Sequence, residues 1–174
     1  QERINDQFMR SGVTIVDAGS TFISYGVKIG RDSVIYPFTV VESDVKIGKR
    51  CFIGPFAHLR EGTRVADEVM LGNFVETIRT KIGAKVFAKH FSYLGDVSVG
   101  RKVNIGAGTV TANFDGRNKH STVIKDNAMI GSDTVLVAPV KIGKGAFTGA
   151  GSVILNDVPE NRKAVGVPAR ILKK

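Results

Sequence analysis

The residues best suited to chemistry lie in one short segment, residues 88–96, which contains His90 and Tyr93. A histidine titrates near neutrality and can take a proton from an amine nucleophile, so His90 is the natural general base if this segment belongs to an active site. Two other histidines compete with it. His58 lies inside a regular sequence repeat, and His120 lies where that repeat stops. A solitary histidine is more often structural, so the pattern alone leaves His90 a candidate.

Four further side chains are suited to binding a polar or anionic ligand. Asn104 and Asn113 can hydrogen-bond a hydroxyl or an amide, while Arg60 and Lys119 can pair with a phosphate. Taken alone, Arg60 is more typical of a solvated turn. The chain has no P-loop, no Gly-x-Ser-x-Gly elbow, no Cys-x-x-Cys and no histidine and carboxylate cluster with metal spacing. Metal-dependent chemistry is therefore not predicted.

These side chains must be positioned by a sequence repeat in which an apolar residue recurs every sixth position, often followed by glycine. Eight aliphatic residues fall on this period from Ile29 to Leu71, and six positions, one of them Thr148, follow it from Ile124 to Ile154. Such a period fits neither an amphipathic helix nor simple strand alternation, and it predicts short strands joined by turns. We therefore predict an all-β solenoid of about eight coils over residues 12–157.

Three segments depart from the repeat. Residues 1–11 are polar and predict a short helix or linker, and residues 158–174 predict a cap or a C-terminal extension. Residues 111–122 are rich in turn-forming and charged residues. They are expected to protrude as a loop that carries Asn113 and Lys119, since loops on rigid scaffolds often carry function. A tolerated surface insertion is the alternative.

The composition describes one ordinary globular domain. The 174 residues are 43% hydrophobic and carry a net charge of +9, which favours anionic partners such as nucleic acid, membrane surfaces or phosphorylated small molecules. The basic residues are scattered, without stacking aromatics, and this argues against nucleic acid. No apolar stretch suits membrane insertion and the opening residues do not form a secretory signal, so a cytoplasmic location is expected. The single cysteine, Cys51, is predicted to be structural.

An ordered series of motifs between about residues 12 and 150 carries a more specific signal. The chain closely resembles the acetyltransferase domain of the bacterial bifunctional N-acetylglucosamine-1-phosphate uridyltransferase/glucosamine-1-phosphate acetyltransferase family. The matching motifs are residues 54–62 (GPFAHLREG), 71–76 (LGNFVE), 90–96 (HFSYLGD), 103–109 (VNIGAGT), 113–116 (NFDG) and 131–134 (GSDT).

The resemblance implies a left-handed parallel β-helix, which is an exception to the usual right-handed crossover. It also implies a cytoplasmic homotrimer with active sites between subunits. The implied reaction moves an acetyl group from acetyl-CoA to the amine of glucosamine 1-phosphate and feeds UDP-N-acetylglucosamine synthesis, without a metal. The alternatives are an acyl-CoA transferase of the same fold that acts on another amino sugar, and a non-catalytic trimeric β-helix.

The resemblance also implies a role for individual residues. His90 corresponds to the catalytic base. The sugar-phosphate contacts fall on Arg60, Tyr93, Asn104 and Lys119. The acetyl-CoA contacts fall on Asn113, Phe114, Ser132 and Ala150.

The chain departs from the family pattern at three positions and in one domain. The family's second phosphate-binding lysine is Ile78 here, with Arg79 beside it. The family's tyrosine after the loop asparagine is Phe114, and its CoA-binding arginine is Val167, which leaves Arg170 as the candidate cation for CoA. The family's N-terminal nucleotidyltransferase domain has no counterpart in these residues, so no uridyltransferase activity is expected from them.

Overall fold

The computed structural model describes residues 1–172, so two lysines of the predicted C-terminal extension, Lys173 and Lys174, lie outside the described residues. The chain folds as a parallel β-helix in which successive short strands form three faces. Strands on the same face pair in parallel from coil to coil, and the only antiparallel strand pair in the described chain closes its end. The predicted all-β fold of hexapeptide repeats is confirmed.

The strands are short, with two exceptions, because each coil has three faces and turns at three corners between them. In chain order they are β1 (Thr14–Ile15), β2 (Phe22–Ile23), β3 (Lys28–Ile29), β4 (Val34–Ile35), β5 (Val40–Val41), β6 (Lys46–Ile47), β7 (Phe52–Ile53), β8 (His58–Leu59), β9 (Arg64–Val65), β10 (Met70–Ile78), β11 (Lys81–Ile82), β12 (Phe87–Gly95), β13 (Val97–Val99), β14 (Asn104–Ile105), β15 (Val110–Ala112), β16 (Thr122–Ile124), β17 (Met129–Ile130), β18 (Val135–Val137), β19 (Val140–Ile142), β20 (Phe147–Thr148), β21 (Val153–Ile154), β22 (Lys163–Gly166) and β23 (Ala169–Ile171).

The three faces are defined by their ladders. The first face contains β1, β4, β7, β10, β12, β14, β17, β20 and β22. The second face contains β2, β5, β8, β15, β18 and β21, and the third contains β3, β6, β9, β11, β13, β16 and β19. The nine-residue strands β10 and β12 continue from the first face around to the second. We call the edge between the first and second faces the first corner, and the edge between the second and third faces the second corner.

The sixfold residues form the core, as predicted. Of the eight aliphatic residues from Ile29 to Leu71, all but Ile29 are buried. The six-residue period breaks after Leu71, and this break has a simple origin. Leu71 pairs with Ala88 and Ala88 pairs with Ile105, so these coils are 17 residues long. Where an aliphatic residue is missing, buried Thr77 takes its place between Leu59 and Leu94.

Glycine follows the aliphatic residue mainly because successive coils touch there. A Cβ atom on Gly30 would lie 2.7 Å from the backbone of Gly48, and one on Gly72 would lie 1.8 Å from the carbonyl oxygen of Lys89. Neither glycine has a positive φ. Non-glycine residues such as Phe56 (φ 55°) occupy many of the left-handed corners. Crowding rather than a positive φ therefore requires glycine at these positions, because coil stacking brings one backbone against the next.

The N-terminal segment forms a helix, α1 (Glu2–Arg10), that covers the first coil. The amide of buried Asn5 donates to the carbonyl oxygens of Ala18 (3.0 Å) and Thr21 (3.1 Å). These bonds satisfy backbone groups at the open end of the solenoid, which a stack of coils must cap. Among the described residues, no helix is long and apolar enough to cross a bilayer.

Candidate functional site

His90 lies on the first corner, where β12 bends from the first face to the second. It pairs in register with Asn73, and its side chain is exposed. The bend exposes three consecutive residues, from Lys89 to Phe91, instead of alternate ones. The corner therefore presents the imidazole to solvent, where a ligand can reach it.

The predicted cofactor residues Ser132 and Ala150 lie directly along the same corner as His90. The core residues Ala88, Ile130 and Thr148 are aligned from coil to coil. His90, Ser132 and Ala150 each stand two positions after one of them, in that order. Coils repeat about every 4.8 Å, so the distance from His90 to Ala150 along the axis is roughly 14 Å. Both side chains are small and exposed, which leaves an open strip along the corner.

The candidate CoA cation, Arg170, lies at the far end of this strip. Strand β23 pairs antiparallel with β22, which places Arg170 opposite Val165 and exposes its side chain. Val165 in turn contacts the position where a Cβ on Gly149, beside Ala150, would lie. The antiparallel pair β22–β23 thus adds a cation where the corner strip ends.

Arg60 and Tyr93 lie at the second-corner side of the second face. The guanidinium Nη1 of Arg60 donates to Glu76 Oε1 (2.9 Å), and its Nε lies 3.8 Å from Glu42 Oε1. The bond to Glu76 raises the pKa of Arg60, and the Tyr93 phenol adds to this effect. Carboxylates therefore hold the guanidinium in place at the outer surface.

Asp96 brings together groups from three different coils at the second corner. Its carboxylate accepts two hydrogen bonds from Arg79, from Nε (2.6 Å) and Nη2 (2.8 Å), and a third from Asn113 Nδ2 (2.5 Å). The Arg79 guanidinium lowers the pKa of Asp96 below its ordinary value, and Asn113 and the charge of Lys119 lower it further. Of the predicted site residues, Asn113 is therefore bonded to Asp96, whereas Lys119 acts on this carboxylate only through its charge.

The predicted protruding segment is a compact hairpin slightly shorter than expected. Thr111 and Thr122 are buried in β15 and β16, so the excursion covers residues 113–121. Phe114 and Lys119 form an antiparallel bridge, and the Phe114 ring is 60% exposed. The boundaries move inward because both threonines continue the core ladders.

The two competing histidines are hydrogen-bonded to carboxylates. His58 Nε2 lies 2.8 Å from Glu42 Oε1 on the second face, and His120 Nε2 lies 2.7 Å from Asp115 Oδ2 in the hairpin. Asp115 also accepts backbone N–H groups of Arg117 and Asn118, and these bonds hold its pKa well below the ordinary range. Both imidazoles therefore have structural partners.

The structure does not bring all predicted site residues together on one chain. Asn104 lies on the first face, in register with Phe87 and Met129, and lines a groove there. Arg60 and Tyr93 face outward from the second face. The second face separates the Ser132 strip from Asn113. The predicted site residues of one chain therefore lie on different faces.

Gly95 lets Tyr93 and Asn113 approach each other. A Cβ at this position would lie 2.5 Å from the Tyr93 hydroxyl and 2.8 Å from Asn113 Nδ2. Both contacts are side-chain ends that can move, so we expect Gly95→Ala to fold and to displace both groups. The family resemblance implies that Tyr93 contacts the sugar phosphate and Asn113 contacts acetyl-CoA, so loss of one or two such hydrogen bonds predicts a KM increase of roughly 2- to 10-fold. Steady-state kinetics with an unchanged melting temperature checks it, and an unchanged KM would contradict it.

The sequence analysis assigns no role to Asp96, and it names Arg79 only as the neighbour of Ile78. Asp96 is the last residue of the motif that contains His90 and Tyr93, and this position could have marked it as a candidate site residue. Its meaning depends on coil stacking, which places Arg79 and Asn113 beside it. Within the described residues, no cluster of three or more histidine, cysteine or acidic side chains could hold a metal ion.

These features define a class of protein. The family model for the bacterial transferase hexapeptide (six repeats) matches residues 26–60, 44–78 and 121–156, which together cover about half of the chain. The chain belongs to this hexapeptide transferase family. It is also 45% identical over its full length to the bifunctional protein GlmU of Thermosipho africanus. It spans 46% of that relative's length, and the predicted resemblance is confirmed.

Two solved structures share the fold. A Francisella novicida UDP-N-acetylglucosamine acyltransferase superposes with a TM-score of 0.62 at 14% identity, over 91% of this chain and 70% of that one. The serine acetyltransferase of Neisseria gonorrhoeae superposes with a TM-score of 0.51 at 29% identity, over 56% of this chain and 42% of that one. The first supports the solenoid alone, since its sequence is distant.

Proposed function

We propose that this chain transfers the acetyl group of acetyl-CoA to the amine of glucosamine 1-phosphate. The observation that carries the proposal is the alignment of exposed His90 with Ser132 and Ala150 along one corner. A general base at one end of an open strip is the arrangement that acyl transfer from a long thioester cofactor needs. The full-length similarity to GlmU supports the choice of this reaction.

His90 acts as the base in this reaction. The sugar amine is an ammonium ion at neutral pH and loses one proton to solvent before it attacks. As the nitrogen attacks the thioester carbonyl carbon, the C–N bond forms and the nitrogen's remaining surplus proton passes to the imidazole. The C–S bond then breaks, and CoA leaves as the thiol after taking this proton from the imidazolium, which restores the neutral base. A positioned base contributes typically 10²- to 10⁴-fold to such a transfer.

The first corner suits the acetyl-CoA arm. Exposed Ser132 and Ala150 leave room above the backbone, and Arg170 supplies a positive charge at the end of the strip for the CoA phosphates. Gly131, one residue before Ser132, lies so close to the next coil that a Cβ would stand 2.7 Å from Ala150 N. The close packing of the coils therefore keeps side-chain bulk off the backbone along the strip.

The active form we propose is a homotrimer with each site between two subunits. Asn113 and Phe114 lie across the second face from Ser132, so one CoA that contacts all three draws on the hairpin of a neighbouring chain. Exposed apolar residues at the first corner also favour contact with a neighbouring subunit. The rings of Phe38, Phe56 and Phe74 stack there, with centroids 4.9 and 5.1 Å apart, and are about half exposed. Phosphorylated amino sugars also suit the net charge of +9.

The choice of substrate is tested by comparing acceptors. CoA release is measured with glucosamine 1-phosphate, glucosamine and a nucleotide-linked amino sugar at equal concentrations. We expect the highest kcat/KM with glucosamine 1-phosphate. Higher kcat/KM with another amino sugar would support the alternative acyl-CoA transferase. Absence of transfer to every acceptor, together with a melting temperature that acetyl-CoA does not raise, would support a non-catalytic β-helix.

The intersubunit site is tested by mixing inactive variants. His90→Ala removes the base and Lys119→Ala removes the hairpin cation, each on its own chain. If a site combines His90 of one subunit with the hairpin of the next, co-refolded mixed trimers contain some sites with both groups intact. We expect activity at low substrate to exceed that of either variant alone. Equal activity of mixture and separate variants would contradict the shared site.

A further inference from the structure

Position 78 supplies no cation to the second corner. The Ile78 side chain is only 9% exposed at the end of β10. The chain then turns at Arg79, whose φ of 47° lies in the left-handed region. This turn directs the Arg79 side chain along the corner to Asp96 in the next coil. The guanidinium thus stays on the outer surface beside Tyr93 despite the inward-packed neighbour.

We propose that Arg79, held by Asp96, binds the phosphate group of the amino-sugar substrate. The proposal rests on the proposed function and names the residue that gives the site its preference for a phosphorylated sugar. The Tyr93 hydroxyl lies beside Asn113 Nδ2, since a Cβ on Gly95 would stand 2.5 Å from the first and 2.8 Å from the second. Asn113 and Arg79 both bond Asp96, so the phenol lies on the Arg79 side of the second corner, and its charge contributes to the raised pKa of both Arg79 and Arg60. A phosphate beside Tyr93 is within the field of both cations.

The geometry leaves donors on Arg79 for a second anion. A guanidinium has five N–H donors, and the bonds to Asp96 use one on Nε and one on Nη2. Three N–H groups remain, two of them on Nη1, along the edge that faces away from Asp96. This edge matches the bidentate geometry of a phosphate. Arg79 is 39% exposed, so solvent and a ligand can reach it.

Asp96 is a positioning residue in this proposal. Its bonds fix the orientation of Arg79, and its third bond, to Asn113, ties the base of the hairpin to the same carboxylate. The charge of Arg79 neutralises Asp96, which reduces its repulsion of a phosphate. Substitution of Asp96 is therefore expected to affect two ligands, the sugar phosphate through Arg79 and acetyl-CoA through Asn113.

The direct test measures binding rather than turnover. The Kd of glucosamine 1-phosphate and of glucosamine is measured by calorimetry for wild type, Arg79→Gln and Arg79→Lys. A lost charge-assisted hydrogen-bond pair predicts that Arg79→Gln weakens glucosamine 1-phosphate by roughly 10- to 100-fold and leaves glucosamine unchanged. Arg79→Lys keeps the charge, so its Kd for glucosamine 1-phosphate is expected to lie between those of wild type and Arg79→Gln.

Arg64→Gln is the matched control. Arg64 Nη2 donates to both carboxylate oxygens of Asp44 (2.7 and 2.8 Å), so it makes a comparable exposed pair away from Tyr93. We expect the Kd of Arg64→Gln for glucosamine 1-phosphate to equal that of wild type. An Arg79→Gln protein with a wild-type melting temperature and an unchanged Kd for glucosamine 1-phosphate would overturn the proposal. Failure of wild type to bind this ligand would overturn it too.

Asp96→Asn separates positioning from a general loss of structure. We expect it to raise KM for both glucosamine 1-phosphate and acetyl-CoA, whereas Arg79→Gln raises only the first. In the double variant, the Asp96 change should add little to the sugar-phosphate KM because both act on one contact. Additive effects would overturn the positioning role. If wild type binds the sugar phosphate and transfers no acetyl group, the proposed function fails while the Kd test of Arg79 stands.

Discussion

Replacing His90 with alanine is expected to lower kcat for acetyl transfer by roughly 10²- to 10⁴-fold, because the proposed reaction loses its general base. The side chain is exposed on the first corner, so the substitution creates no cavity and the melting temperature should stay within a degree or so of wild type. KM for acetyl-CoA should change little, since the strip beyond His90 is intact. Initial rates with saturating substrates measure the effect.

His58→Gln is the control for the loss of an imidazole. His58 is paired with Glu42 on the second face, away from the first-corner strip, and glutamine keeps a hydrogen-bonding group there. Its kcat should remain close to that of wild type. A non-catalytic β-helix predicts instead that His90→Ala changes nothing measurable. Equal kcat for wild type and His90→Ala would remove the base from the proposed mechanism.

Replacing Gly72 with alanine is expected to prevent correct folding or to lower the free energy of unfolding by more than about 4 kcal/mol. The added Cβ would lie 1.8 Å from the carbonyl oxygen of Lys89 and 2.4 Å from its carbonyl carbon. These are backbone atoms of the paired strand β12, and they cannot move away without opening the ladder between β10 and β12. Soluble yield and chemical denaturation measure the loss.

Gly19→Ala provides the comparison. A Cβ on Gly19 would approach only the Asp17 side chain, at an ordinary 3.4 Å, and Gly19 has no positive φ. Its effect on unfolding should remain within about 1 kcal/mol. If Gly72→Ala and Gly19→Ala unfold at the same denaturant concentration, the close stacking of coils at Gly72 is wrong.

Much of the solenoid was predictable because a solenoid repeats its packing. The positions from Ile35 to Leu71 recur at six and are buried, since each coil covers the next. The slips were visible in the sequence, but their cause was not. Thr77 fills a core position that hydrophobicity alone would miss, and the 17-residue coils follow from strand register.

The candidate site was predictable as a set of residues but not as an arrangement. The motifs carry His90 and Tyr93, yet only the stacking register shows that His90 aligns with Ser132 while Tyr93 faces the second corner. The pairing of Arg79 with Asp96 depends on left-handed backbone at both residues (φ 47° and 49°). A single sequence does not reveal such corner conformations for residues other than glycine.

The central claim is most directly tested by identifying the product that the wild-type protein forms from acetyl-CoA and glucosamine 1-phosphate. Mass spectrometry and NMR would locate the new acetyl group, and free thiol would be counted in parallel. The proposed function predicts one acetyl group on the sugar nitrogen for each CoA released, with no added metal. Acetyl on a hydroxyl, or no CoA release while glucosamine 1-phosphate remains unmodified, would contradict it.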